Sequence, residues 1–344
     1  MLELMLVLFM ALGLLAAGII FGLVLKGIDR KLAAYYQARV GPPLAQPFYD
    51  IDKLMVKQSI IPENAVGWVF KGAPFLALAS SGMLLIYILL PYLLYLAGSG
   101  SAFLAASDLI VILYILLIPT IALICGGFAS GSPLTAIGSQ REVVILMSVK
   151  VPLAIVVIAI GWQMAQLIGV TNPFSLLTIA ANPLWAGMGP IGIMGIGLLL
   201  LTLIAVIPAE TAKIPFDQAE AKTEIAEGLL AEYSGKYLAL FLLSDAVKAF
   251  ALAALFVILF FPHSIGQLFG FQAVLFGTDI TFLLDLLFFA VKVIVVYFLS
   301  ITTIRVAMAR FKIAQVAWLF IITLSALSLT GYLLLFLDPL VAAL

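Results

Sequence analysis

Apolar residues run along this chain in stretches of about 20, long enough to cross a hydrocarbon layer about 30 Å thick, and polar residues gather between them. The pattern predicts eight transmembrane helices, at roughly 4–25, 73–96, 108–128, 143–168, 188–208, 237–261, 280–304 and 314–336. No separate soluble domain fits between these runs, so residues 1–344 are expected to form a single polytopic all-α membrane domain. Within the first connection, 26–72, a break at Gly41, Pro42 and Pro43 is followed by QPFYDIDKLMVK. There Phe48, Ile51, Leu54 and Met55 recur at helical spacing against Asp50, Asp52, Lys53 and Lys57, which predicts an amphipathic helix at the interface. The connections at 169–187 and 262–279 are mostly apolar with Pro and Gly, and are expected to lie along the membrane surface. Pro91, Pro119 and Pro152 fall inside spans and predict local kinks.

Charge orients this array. Fourteen Lys and Arg residues lie outside the spans, all of them in alternate connections. Lys26, Arg30, Lys31, Arg39, Lys53, Lys57 and Lys71 are in the first, Arg141 in the third, Lys213, Lys222 and Lys236 in the fifth, and Arg305, Arg310 and Lys312 in the seventh. By the positive-inside rule these connections face the cytoplasm and both termini lie outside. At 65% hydrophobic and 10% charged residues, with a mean hydropathy of +1.27, an ordinary soluble domain is excluded. The N-terminus has no basic segment or small-residue cleavage site before the first run, so that run reads as the first helix of the mature protein. Cys125 is the one cysteine and His263 the one histidine. Neither a disulfide framework nor a cysteine-ligated cluster can be built from this chain alone, so a redox centre is expected in a partner. His263, behind Phe260, Phe261 and Pro262, reads as a packing residue.

The polar residues that remain are concentrated. Ala209–Gly235 holds Glu210, Asp217, Glu220, Glu224, Glu227 and Glu232, six of the 17 acidic residues, between two apolar runs. Charges at or near a bilayer must face water, a protein partner or an internal polar path. Lys150, Lys248 and Lys292 fall within spans, and Asp245 and Asp285 share helix faces with the latter two. Two readings stay open at this point. These groups are structural ion pairs between helices, or they form a relay of titratable groups, since burial lowers a lysine pKa and raises that of a carboxylate.

The segment AETAKIPFDQAEAKTEIAEGLLAEYSG resembles the cytoplasmic loop of the eight-helix membrane subunit that anchors the quinone-reaction module of respiratory complex I, and of its counterparts in energy-converting membrane-bound hydrogenases. Further blocks agree in order along nearly the whole chain. Asp29-Arg30-Lys31 and Gln37-Ala38-Arg39-Val40-Gly41-Pro42 match the first loop, Gly138-Ser139-Gln140-Arg141-Glu142 the start of the fourth span, and Arg305 with Ala309-Arg310-Phe311-Lys312 the approach to the last. The short join GPPLAQPFYD is similar to the hydrogenase-type branch, in which ferredoxin supplies electrons and the acceptor is a proton or a sulfur compound. The related sulfane sulfur reductase shares the architecture.

The resemblance implies a membrane anchor for a peripheral redox arm, without a catalytic, cofactor or metal site of its own, that couples electron transfer to proton or sodium movement in the cell membrane. Its expected partners are peripheral hydrogenase-like and iron–sulfur subunits, antiporter-like membrane subunits, ferredoxin and the lipid bilayer, with no nucleic acid. Iron–sulfur clusters, and in the hydrogenase form a nickel–iron site, belong to those partners. Glu210, Asp217, Glu220, Glu224, Asp245, Lys150, Lys248, Asp285 and Lys292 are the candidate ion path. Asp29, Arg30, Lys31, Arg39, Arg141, Arg305 and Arg310 are candidates for docking the arm. Three positions depart from the family pattern, since Lys150, Lys222 and Ala314 stand where carboxylates are usual. The rival readings are the quinone-module subunit of complex I itself and, from another class, a stand-alone secondary transporter, against which the lack of a visible inverted repeat speaks.

Overall fold

The computed structural model describes residues 2–96, 107–166, 172–266, 274–275, 278–279 and 281–342. Eight of its helices are long and apolar enough to span a membrane. The helices are α1 (Leu2–Tyr36), α2 (Gln46–Val56), α3 (Gly67–Leu96), α4 (Leu109–Ala129), α5 (Pro133–Ala165), α6 (Leu176–Ala181), α7 (Pro190–Glu210), α8 (Lys222–Ile225), α9 (Gly235–Phe260), α10 (Thr281–Ala307) and α11 (Ile313–Val341). A two-residue hairpin pairs β1 (Val274–Leu275) with β2 (Thr278–Asp279). The remaining stretches of the connections expected at 169–187 and 262–279 lie partly outside the described residues.

The bundle is built around α9. Its apolar window is 89% buried, against 22% for α1 and 28% for α10 and for α11. The sequence explains this centrality, because Ala246, Ala249, Ala251, Ala253 and Ala254 keep α9 narrow and let its neighbours close in. On α1, a Cβ added to Gly22 would lie 2.6 Å from the Ala246 carbonyl oxygen, so only glycine permits that approach. Leu84, Leu85, Ile88, Val156, Ile160, Phe256 and Phe260 then fill the space around the axis.

Two spans extend beyond their sequence expectation, because protein packing replaces solvent or lipid. Helix α1 runs on past residue 25 to Tyr36, burying Leu25, Ala33 and Ala34, and ends at Ala38 in the left-handed region. Helix α5 begins ten residues early, at Pro133, and a Cβ on its Gly138 would meet the Leu229 amide nitrogen at 2.6 Å. The amphipathic α2 turns Pro47 and Ile51 onto α1 and α9, where Ile51 packs with Leu23, Ala239, Leu243 and Ala246, while Met55 stays exposed. The connection before α7 packs onto the bundle. Leu176, Ile179 and Ala180 of α6 are buried, and Trp185 Nε1 donates to the Phe260 carbonyl at 2.6 Å.

Pro91, Pro119 and Pro152 sit inside α3, α4 and α5 as expected. Two further irregularities are π-helical, at Phe298–Thr302 within α10 and Leu319–Leu324 within α11. At the other end of the bundle Asp338 of α11 accepts hydrogen bonds from the Gly189 and Gly192 amides, both at 2.9 Å. It thereby caps the N-terminus of α7 from a neighbouring helix, where a carboxylate complements the exposed amides and the helix dipole. Replacing it should show what this tie contributes. Asp338→Ala is expected to lower stability by about 1 kcal/mol, read as a lower melting temperature in detergent, with Asp338→Asn in between. An unchanged melting temperature in Asp338→Ala would refute the cap.

Candidate functional site

The segment between α7 and α9 is folded against the bundle rather than solvated as a free loop. Phe216 is buried against Phe311 and Phe320, and Gln218 Nε2 donates to the carbonyls of Pro215 and Phe311 at 2.7 and 3.0 Å. Ala212, Ala226, Glu227 and Gly228 adopt positive φ, which lets the chain reverse in short turns. At Gly228 a Cβ would lie 2.4 Å from the Ala219 carbonyl oxygen, so the tightest of these reversals needs glycine. This segment closes a cavity of about 410 Å³ between itself and α1, α3, α4, α5, α7, α9 and α10.

Charge lines this cavity in pairs, each joining elements distant in sequence. At its inner end Glu210, the last residue of α7, accepts from Lys150 at 2.6 Å through Oε1 and from Lys248 at 3.2 Å through Oε2. Lys248 also donates to Thr120 Oγ1 at 2.7 Å. Asp245 Oδ2 receives Lys213 and Lys26 at 2.7 and 2.8 Å. Asp29 accepts from Thr302 Oγ1 at 2.9 Å and from Arg305 Nη1. Toward the loop, Arg310 holds Asp217 with both ends of its guanidinium fork, at 2.8 and 2.6 Å. Not every lining group is paired. Glu142 Oε2 and Tyr297 OH are buried and unpartnered among the described residues.

The wall holds seven cations (Lys26, Arg30, Lys213, Lys222, Lys248, Arg305, Arg310) against six carboxylates (Asp29, Glu142, Glu210, Asp217, Glu220, Asp245). Removing one member of such a buried pair costs about 3–5 kcal/mol, because its partner is left uncompensated. Environment also tunes the groups outside the spans. Burial pushes the Glu220 carboxyl up to about 7, against the opposing pull of Lys213. Burial alone would lower Lys213, but Asp245 more than reverses this and holds its ammonium above the usual lysine value. The hydrogen bonds that Arg310 donates to Asp217 raise its guanidinium above the usual arginine value. For Asp50, burial works upward, but hydrogen bonds from Arg30 and Gln46 keep it below the usual carboxylate range.

The structure sorts the candidate residues into those it gathers and those it separates. Glu210, Asp217, Glu220, Asp245 and Lys248 line the cavity, and Lys150 joins it from behind through Glu210. Glu224 sits on the rim with Arg141, at 2.6 Å. Asp285 and Lys292 lie elsewhere. Asp285 accepts from the Gly266 amide at 3.2 Å, and Lys292 donates to the Phe261 and His263 carbonyls, both at 2.8 Å, so they tie down the chain beyond the far end of α9 and do not pair with each other. Asp245 and Lys248 likewise bond to other helices despite their shared face. The docking candidates divide too, since Asp29, Arg30, Arg305 and Arg310 face the cavity, whereas Lys31 and Arg39 are exposed.

Sequence reasoning did not single out Glu142, Lys26, Lys213 or Tyr297 as lining groups. Glu142 and Lys26 each stand one residue outside the expected span, and the helices carry them inside because α5 starts earlier and α1 ends later than hydropathy implies. For Tyr297 no comparable signal exists. Among the described residues no three His, Cys, Asp or Glu side chains are grouped as a metal-ion site.

Known proteins place this architecture. The family model described as NADH dehydrogenase matches residues 9–336. Hydrogenase-4 component C of Escherichia coli is 30% identical over 307 residues, covering 86% of this chain and 90% of the relative. A subunit of the NADH-quinone oxidoreductase of Geobacillus sp. (strain WCH70) is 31% identical, covering 90% of this chain and 87% of the relative. Among solved structures, the membrane-bound sulfane sulfur reductase, an archaeal respiratory membrane complex, contains a chain that superposes with a TM-score of 0.79 at 25% identity, covering 96% of this chain and 99% of that one. The chain therefore belongs to the NADH dehydrogenase family, as a multi-pass membrane subunit of a complex I-like oxidoreductase complex.

Proposed function

We propose that this chain is the membrane anchor of a ferredoxin-dependent, ion-translocating complex of the membrane-bound hydrogenase or sulfane sulfur reductase type. The observation that carries this reading is the cavity. Paired ionisable groups run from Asp217 and Arg310 under the loop face to Glu210 and Lys150 inside the bundle, gathered about one polar cavity in an apolar protein. In this reading the loop face lies in the cytoplasm, where exposed Lys31 and Arg39 receive the peripheral redox arm, and the membrane is the cell membrane. Iron–sulfur clusters reside in that arm, since one cysteine and one histidine give this chain too few soft ligands to hold them. The paired groups then pass the charge change at the arm to antiporter-like neighbours that move protons or sodium.

A second reading has its own support. Relatives named as NADH-quinone oxidoreductase subunits match most of the chain, and 410 Å³ lies within the range of about 300–1,000 Å³ usual for small-molecule sites. Purification separates the two. The proposed complex should bring peripheral redox subunits with it and accept electrons from reduced ferredoxin, with no quinone in a solvent extract. Stoichiometric quinone would favour the second reading, and a chain that purifies alone would defeat both.

Orientation is open to direct labelling. In a background lacking Cys125, a cysteine at exposed Asn182 should react with an impermeant reagent added outside, and one at exposed Gln58 should not. The opposite pattern would invert the topology.

Glu220 carries a pH signature. Its folded value of about 7 exceeds the ordinary 4.5, so folding takes up a proton between those values and stability falls as pH rises through them. Glu220→Gln removes this penalty. Its melting temperature relative to the native protein should therefore rise from about pH 5 to about pH 8, and a difference that stays flat would show that Glu220 is not held protonated.

A further inference from the structure

Two ammonium groups share one carboxylate at the inner end of the cavity, and a carboxyl with a free oxygen stands in the same wall. Lys150 and Lys248 both bond Glu210, at 2.6 and 3.2 Å, while Glu142 Oε2 is buried without a partner among the described residues. Lys248 lines the cavity with Glu142, and Lys150 does not. The charged groups acting on Glu142 are Lys248 on α9, Glu220 on the loop turn, Glu210 on α7 and Lys150 on its own helix, with Lys248 the strongest of them. Of the two lysines, then, the one with the longer bond to Glu210 is also the one that shares the cavity wall with a second acceptor.

We propose, building on the coupling role above, that Glu210 and Glu142 are alternative seats for the Lys248 ammonium, and that Lys150 holds Glu210 whenever Lys248 leaves it. The flexible four-carbon stem of lysine allows such a shift without moving a helix. Without Lys150 the shift would strand a buried carboxylate, the most expensive outcome available to this cluster. Ionised Glu142 draws Lys248 across. A proton arriving from the cavity converts Glu142 to the acid, the attraction ends and Lys248 returns to Glu210. Release of that proton resets the cycle, so one proton is taken up and one released, no electron moves, and Lys248 remains an ammonium throughout. Lys150 acts as a positioning residue, and its charge is what makes the second seat reachable.

The test uses the whole complex in sealed vesicles, with ions moved per electron and the electron-transfer rate measured together. Lys150→Met should lower the ratio by roughly tenfold, because Lys248 can no longer abandon Glu210, while electron transfer stays near native; Lys150→Arg should keep the ratio. Glu142→Gln removes the second seat and should produce the same fall, and the double variant should be no worse than either single one, as expected for two residues serving one step. A native ratio in Lys150→Met or Glu142→Gln, or losses that multiply in the double variant, would overturn the proposal. If Lys150→Met does not assemble, Glu142→Gln, which preserves size and hydrogen bonding, decides alone. A native complex that transfers electrons but moves no ion would instead refute the coupling role on which the two seats rest.

Discussion

Glu210 is the group on which the rest of the interior depends. A carboxylate with a side chain only 2% exposed, at the end of a membrane helix, is tolerable only if cations reach it, and two do so from α5 and α9. That requirement adds to apolar packing a directional tie among three helices, because separating the carboxylate from both cations would strand a buried charge. The same logic recurs at Asp245, which binds α1 and the loop to α9, and at Asp29, which binds α1 to α10. The cavity is the space that these constraints leave open.

The loop between α7 and α9 gains its shape from both sides of this arrangement. Below it, Lys213 and Asp217 are held by Asp245 and Arg310; above it, Arg141 ties Glu224 at the rim. Aromatic packing of Phe216 on Phe311 and Phe320 supplies the apolar part. A segment with six acidic residues can therefore fold against a membrane bundle, since Glu210, Asp217 and Glu224 meet cations on other elements while Glu227 stays exposed.

Hydropathy revealed the eight spans because each must meet lipid on part of its surface, a requirement written into every residue of the run. Their ends were less legible. Glu142 and Lys26 look like loop residues by charge, yet the helices continue through them because their polar heads find partners or space in the cavity. The short turn helices and α6 escaped for the opposite reason, since the hydropathy of the apolar connection 172–187 carries nothing to mark which of its residues pack onto the bundle. Spacing along one helix predicted contacts poorly for Asp245 with Lys248 and for Asp285 with Lys292. A shared face only makes a bond possible, and backbone carbonyls or other helices offered better geometry. Lys150 instead finds Glu210 across helices, since a mid-span lysine near an acidic helix end has few other ways to be satisfied.

The backbone contact at Gly22 and Ala246 also limits how this protein can respond to its surroundings. With α1 seated this closely on the narrow face of α9, rotating or sliding α9 would drive main-chain atoms into each other. The central helix thus behaves as an axle locked in its housing. What remains free to rearrange around it is the position and charge of side chains, not the seating of α1 on α9.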